Sequence, residues 1–208
     1  PSLLLAVLAQ MMVSTNFKKY SAVYNQRGYT GADAARMILD SNGLYHVRIE
    51  RVHGNLTDHY DPKDEVIRLS DSVYGSASVA AVGVAAHEAG HAVQHATGYV
   101  PIRIRSAIIP ITQIGSQLSI PLILLGFLFQ FQPLVFAGIL FYATAALFQL
   151  VTLPVEFNAS SRAMKVLEQS EMLTGDELTG AARVLRAAAM TYVAALLTAL
   201  AQLLRLIL

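Results

Sequence analysis

His87 and His91 stand four residues apart in the stretch HEAGH. On a helix that spacing projects both imidazoles from one face, about one turn apart. Two imidazoles so placed can reach a single tetrahedral zinc ion at ~2.0–2.1 Å. Glu88 follows the first histidine and points slightly around the helix. There it could serve as the general base toward a water that zinc has made acidic, the catalytic role that this spacing offers. The chemistry to expect of such a group is hydrolysis of a peptide bond, with the glutamate returning the proton to the leaving amine. The pattern fixes only three positions of five, and a buried helix whose histidines bond to backbone or water would carry the same letters. The surroundings favour the metal. Residues 79–86 (VAAVGVAA) are small and apolar, as a helix buried under a metal site requires, and Ala89 and Gly90 leave room around the ion.

A catalytic zinc needs a third protein ligand and an open fourth position. The chain has no cysteine, so the ligands must be histidines and carboxylates. His95 continues the same helix face but lies ~12 Å along the axis from His87, too far to share one coordination sphere; it is expected at the helix end or surface. The extended histidine motif of metzincins would place Gly at 94 and His at 97, where this chain has Gln94 and Thr97. Glu156 is the remaining candidate. It is the first ionisable residue after a long apolar region, in LPVEFNASSRA. Pro154 is placed to open a helix, which would put Glu156 in its first turn. A carboxylate there could ligate the metal, or could simply be favoured by the helix dipole.

These residues are set in an apolar chain. Of 208 residues, 54% are hydrophobic and 14% charged, against roughly 25% charged in soluble domains. Mean hydropathy is +0.48. The net charge of +1 gives no reason to expect a nucleic-acid partner. Residues 106–129 and 133–153 carry no formal charge, and each is long enough to cross a bilayer, which takes about 20 residues. Only residues 130–132 join them, so a transmembrane hairpin over 106–153 is expected. Pro110 and Pro121 should bend its first helix, and Gln113 and Gln117 point to a face turned toward protein. A third apolar segment, 187–208, is broken only by Arg205, which could snorkel to an interface. Residues 1–15 read as the remnant of a first span or an interfacial segment. Pro1–Val13 lacks the basic flank of a signal peptide, and the start at Pro1 and the end within an apolar run lead us to expect missing residues at one or both ends.

The charged residues fall in 16–105 and 154–186, which hold 14 of the 15 Lys and Arg residues and every acidic one. Both segments share one side of the membrane if the first segment spans it, and the positive-inside rule places that side in the cytoplasm. Residues 16–105 read as a small α+β catalytic unit. A helix is expected over 31–40, closed by Asn42-Gly43. A strand over 45–52, a turn at 58–62 (DHYDP) and a strand over 65–69 should follow. The HEAGH helix should span about 77–97, capped by Ser76 or Ser78 and ended at Gly98. The segment 154–186 carries the candidate third ligand. Weaker candidates are His59 and Tyr60 as donors to a developing negative oxygen, although a turn-stabilising role explains them at least as well; Arg162 could do the same, but a surface salt bridge explains it better. His46 and His53 read as ordinary strand-region residues. The strand 65–69 could offer an edge to an extended substrate.

The combination of HEAGH, an apolar hairpin and a following E-x-x-A-S resembles the YugP family of neutral zinc metallopeptidases. The stretches TGADAARMILDSNGLY, GNLTDHYDP, IRLS, AAVGVAAHEAGHAVQHATGY and LPVEFNASSRA carry the likeness over nearly the whole chain. It implies Zn2+ bound by His87, His91 and Glu156, with Glu88 as the catalytic base, in a zincin-like unit. The logic is similar to that of HtpX and CaaX prenyl proteases, in which an Asp four residues after the glutamate ligand can orient a zinc-bound histidine. Here Ser160 stands at that place, able to hydrogen-bond an imidazole but without the charge.

The expected fold is therefore a membrane α-helical bundle of three or four transmembrane helices with a small α+β zincin-like catalytic unit. The expected function is a zinc-dependent endopeptidase, embedded in the plasma (inner) membrane with its catalytic unit facing the cytoplasm and acting on peptide or protein segments near the bilayer. Two other readings compete. One is a membrane zinc protein that binds partners without hydrolysis, although a closed structural site would have no use for Glu88. The other is a site-2-type protease whose zinc helix lies in lipid, but the uncharged run before His87 reaches back only to Ser72 and no later Asp-Gly signature lies in an apolar span.

Overall fold

The computed structural model describes residues 2–208. In chain order they form helices α1 (Ser2–Ser21) and α2 (Gly31–Ser41), strands β1 (Arg48–Val52), β2 (His59–Asp61) and β3 (Val66–Ser70), then helices α3 (Val79–Ala96), α4 (Val100–Leu128), α5 (Gln132–Gln169) and α6 (Gly175–Ile207). The chain is mostly helical, with one small mixed sheet. Three helices are long and apolar enough to cross a membrane: α4, α5 and α6. Among the described residues α1 is not one of them, since its apolar part gives way to Asn16, Lys18 and Lys19. The chain divides into two compact units. One comprises Val100–Val155 and Thr191–Leu208 with the N-terminal end of α1; the other comprises Ala9–Tyr99 and Glu156–Met190.

The second unit is built around α2, α3 and the sheet. Helix α2 is opened by a reciprocal cap in which the Thr30 hydroxyl accepts from the Asp33 amide and the Asp33 carboxylate accepts from the Thr30 amide. Its apolar positions Ala34, Ala35, Ile38 and Leu39 recur at helical spacing, and all are buried. They join Ile67, Leu69, Val79, Val82, Leu167, Met172 and Leu173 in one core. Burying each large aliphatic side chain of this kind contributes about 1.5–3 kcal/mol. Strand β3 is central: β1 pairs with it in parallel and β2 antiparallel. Its residues are buried on both faces except at Arg68, as expected of a strand covered on both sides.

The sheet departs from the sequence reading in three places. β1 begins at Arg48 rather than Tyr45, whose ring is 73% exposed. The expected turn at DHYDP contains β2; three residues flanked by Asp58 and Pro62 are too few to show an alternating pattern. The segment 65–69 does not offer an edge, because both of its sides are already paired and β1 and β2 are the outer strands.

Helix ends share one device. After α3, the Gly98 amide donates to His95 O and the Tyr99 amide to Gln94 O, with Gly98 at φ +63°. After α2, Gly43 and Leu44 repeat the pattern on Asp40 and Leu39, with Gly43 at φ +73°. This closure uses the last helical carbonyls and needs a left-handed residue, the reason for glycine at both places.

In the first unit α4 and α5 form the expected hairpin, turning at residues 129–131. Glycines bring the two backbones close. A Cβ at Gly115 would lie 2.8 Å from Phe141 O, and one at Gly138 would lie 2.7 Å from Ser119 O. Close approach through small residues is how helices associate where lipid removes the hydrophobic drive. The inward face of α4 is Gly115, Ser119, Ile123 and Gly126. Gln113 and Gln117, expected on a protein-facing side, are exposed instead, because the small residues rather than the polar ones mark the packed face.

Gly98 tests the helix closure without steric confusion, because nothing lies within 4 Å of a Cβ added there. Gly98→Ala should destabilise the protein by about 1 kcal/mol through backbone conformation alone. Thermal or denaturant unfolding of the detergent-solubilised chain measures this.

Candidate metal centre

Ser78 starts α3 by accepting from the Ala81 amide at 3.2 Å, and the following small residues Val79–Val82, Ala85 and Ala86 are fully buried. Ala and Gly at these positions let a neighbouring helix come very close. That neighbour is α5: a Cβ on Gly90 would lie 2.6 Å from Ala159 O. The contact falls within the HEAGH turn, so it fixes the residues on either side of Ala159 relative to the two histidines. On α5, Glu156, Ala159 and Ser160 share a face through their i, i+3 and i+4 spacing, and that face meets α3.

The result is a convergent group. His87 Nε2 lies 3.2 Å and His91 Nε2 3.5 Å from Glu156 Oε2. The two rings meet edge to face, with centroids 4.7 Å apart. One donor atom from each of the three residues lies within 4.8 Å of the others, so together they could hold a metal ion. Glu156 is only 2% exposed. Pro154 does not start a helix but lies inside α5, so Glu156 is far from either end of that helix, and the dipole explanation for its presence fails. Proline inside an apolar helix is tolerated where neighbouring groups satisfy the freed backbone. At the level of local sequence, such a proline looks the same as one that opens a helix.

Each imidazole is also held from behind. His91 Nδ1–H donates to Gln94 Oε1 at 3.0 Å, since an amide oxygen can only accept. This leaves Nε2 unprotonated when the ring is neutral, facing Glu156. His87 Nδ1 lies 3.1 Å from Ser160 Oγ, the hydroxyl expected to be able to bond an imidazole. Gln94 is fully buried, and its Nε2 donates to Asn158 Oδ1 at 3.0 Å, which also accepts from Arg162 Nε at 2.8 Å. A polar chain thus runs from one candidate ligand to Arg162, whose guanidinium lies over the Tyr99 ring. Burial works against a charged His91, but the bond to Glu156 and the charges of Glu88 and Glu156 outweigh it and hold its proton above the usual histidine range. The group therefore favours positive charge at its centre. Two imidazole nitrogens turned inward beside one carboxylate suit zinc.

Glu88 is oriented by the sheet: the Tyr60 amide donates to its Oε2 at 3.0 Å. Tyr60 belongs to β2, so the segment read as a turn is the one that reaches the centre. Its phenol is pushed up by burial, with Glu65 and Asp61 adding to the effect, and keeps its proton. Its ring packs on His95, with centroids 5.6 Å apart, which places His95 in the last turn of α3 as expected and outside the metal group. Beside Glu88, burial raises the Asp58 carboxyl despite bonds from Ser70, and the charge of Glu88 adds to the rise. His59 is exposed and bonds Thr57 O, a loop role. His46 and His53 lie at the surface near Glu65 and Asp71. Arg162 serves Asn158 and Tyr99; among the described residues no carboxylate pairs with it.

Gln94 stands out in the sequence only as a departure from the metzincin pattern and Asn158 not at all, and only packing shows what they hold. Replacing the groups behind the imidazoles should weaken metal binding without removing a ligand. Ser160→Ala and Gln94→Leu should each lower divalent-metal affinity about 10–100-fold, as read by competition with a chromophoric chelator.

A family model described as "Putative neutral zinc metallopeptidase" matches the chain over residues 1–208. The chain is 48% identical over 201 residues to "Putative membrane protease YugP" of Bacillus subtilis (strain 168), a match that covers 97% of this chain and 89% of that protein. No solved structure matches. Its cofactor is zinc, for which His87, His91 and Glu156 form a possible site, and the chain belongs to the family of neutral zinc metallopeptidases.

Proposed function

We propose that the protein is a membrane-embedded zinc endopeptidase that uses Glu88 as its general base, in a zincin-like unit facing the cytoplasm. The observation that carries this reading is the convergence of His87 Nε2 and His91 Nε2 on buried Glu156, with Glu88 held beside them by the Tyr60 amide. Zinc bound there would acidify a water and polarise a peptide carbonyl. The rest falls to side chains of this chain. Glu88 accepts a proton from the attacking water as its oxygen adds to the carbonyl carbon. It then delivers that proton to the amide nitrogen as the C–N bond breaks, so one water is consumed and an acid and an amine leave. The Tyr60 amide keeps the carboxylate aimed during both transfers. Ser160 and Gln94 hold the imidazole planes.

The membrane setting is supported by the three apolar helices and by the membrane protease relative. Helix α3 is not among those three, which favours a site outside the lipid over a site-2-type arrangement. Glu156 follows an apolar stretch of α5 within the same helix, so we place the cleavage close to the bilayer, on membrane proteins or unfolded segments near it. The cytoplasmic orientation rests on the concentration of Lys and Arg in 16–105 and 154–186.

Purified protein should contain about one zinc per chain. Glu88→Gln should retain that zinc and lose peptide hydrolysis by at least ~100-fold, the lower scale of general-base catalysis. His91→Ala and Glu156→Ala should lose both. Hydrolysis equal in the natural protein and Glu88→Gln would leave a zinc protein that binds partners without cleaving them. The absence of cysteine gives a clean orientation test: a single cysteine replacing exposed Lys63 should react with a membrane-impermeant maleimide only after the cells are opened.

A further inference from the structure

Helices α1 and α6 enclose a second feature, distant in sequence from HEAGH. Tyr20 is buried near the end of α1, and its ring packs on Gly180 of α6, where a Cβ would come within 2.7 Å of the ring carbons. Arg183 Nη1 donates a hydrogen bond to the Tyr20 hydroxyl at 3.2 Å, and Lys19 Nζ stands 5.4 Å from the centre of the same ring. Next to this contact is a cavity of about 380 Å3 lined by Met12, Asn16, Arg183, Arg186, Ala187 and Met190. Tyr20 meets Gly180 while Met12 and Met190 share the cavity, so the two helices run antiparallel there.

The order of residues along both helices is informative. On α6, Arg186 is the last charged residue before the uncharged stretch 187–204. On α1, Lys18 is the first charged residue after an uncharged stretch. Because the helices are antiparallel, the apolar ends of both lie on the same side of the basic residues. The cavity thus has two guanidinium groups toward one end and two methionines toward the other. Among the described residues no carboxylate pairs with Arg183, Arg186, Lys18 or Lys19, and the Asn16 amide is turned to Met12 O. An ordinary surface arginine gains little from a neighbouring acid. Here two guanidinium groups line a cavity whose lining holds no carboxylate, and Lys19 stands close by over the Tyr20 ring.

We propose that this cavity binds the headgroup of an anionic phospholipid, with the phosphate between Arg183 and Arg186 and the acyl chain passing Met12, Ala187 and Met190. Planar guanidinium groups suit phosphate oxygens, and basic pockets between membrane helices are suited to acidic headgroups. Methionine accommodates flexible chains because its own side chain is flexible and polarisable. The charge selects an acidic lipid over a neutral one, and the apolar floor selects a lipid over a free phosphate ion. Tyr20 sets the position of Arg183, so it acts as a positioning residue.

The test uses the full chain in neutral detergent, titrated separately with short-chain phosphatidylglycerol, short-chain phosphatidylcholine and inorganic phosphate. Binding is read from the rise in unfolding temperature and by native mass spectrometry. Saturable binding of phosphatidylglycerol should exceed that of the other two. Arg186→Gln should weaken it about fivefold and Arg183→Gln/Arg186→Gln about 25-fold, at about a factor of five for each basic group. Among the described residues Arg186 makes no side-chain hydrogen bond, so its single variant remains informative if the double variant is unstable, and unchanged zinc content checks that the site at HEAGH is intact. Equal phosphatidylglycerol binding in Arg186→Gln and the natural protein would overturn the proposal. So would phosphatidylcholine binding as tightly as phosphatidylglycerol, or inorganic phosphate as tightly as the lipid.

Discussion

A carboxylate that is almost wholly removed from water has to be compensated, and much else in the second unit follows from how Glu156 is. Left alone in such a place it would cost several kcal/mol or take up a proton. Two imidazoles stand against the same oxygen instead. For them to do so, α3 and α5 must lie nearly in backbone contact. The small residues of α3 permit this, and the core of Ile38, Leu39, Val79, Val82 and Leu167 holds it. The hydrogen bonds to Ser160 and Gln94 then fix which nitrogen of each ring faces inward. Packing, protonation and ligand geometry are thus one problem with one solution.

The sheet makes a different contribution. It is small and its strands are short, yet it brings a backbone amide to Glu88 at 3.0 Å. A backbone donor is a stiff way to aim a carboxylate, because it moves only if the strand moves. β2 is tied to β3, whose residues are mostly buried, so the stiffness of the core reaches the Glu88 carboxylate through a single hydrogen bond.

What could be read from the sequence divides along physical lines. His87, Glu88 and His91 declare themselves because helical spacing alone puts them together. The HEAGH helix and its Gly98 stop are legible for the same local reason, with the cap narrowed to Ser76 or Ser78, of which the structure uses Ser78, and the hairpin of α4 and α5 is legible from uncharged length. Glu156 was legible as a candidate, but its place within α5 was not, since Pro154 resembles a helix start when only its neighbours in sequence are considered. The bonds behind the histidines could be anticipated for Ser160 by likeness, whereas Gln94 drew notice only as a departure from the metzincin pattern. Its role depends on Asn158, 64 residues further along the chain, and no local rule reaches that far. β2, at three residues, holds too little pattern to be read from sequence, and whether β3 has a free edge is a property of the sheet rather than of its own residues.

The near-contact between Gly90 and Ala159 bears on how this motif can vary. Its two middle letters take no part in the chemistry, yet Ala89 is completely buried and any side chain at position 90 would press on the Ala159 carbonyl. A methyl group there would have to part the helices that carry the ligands. The freedom suggested by writing the pattern as H-E-x-x-H is therefore illusory in this architecture. A laboratory search for altered activity would exhaust its options at position 90 immediately, and would find more latitude at residues that the usual notation leaves out.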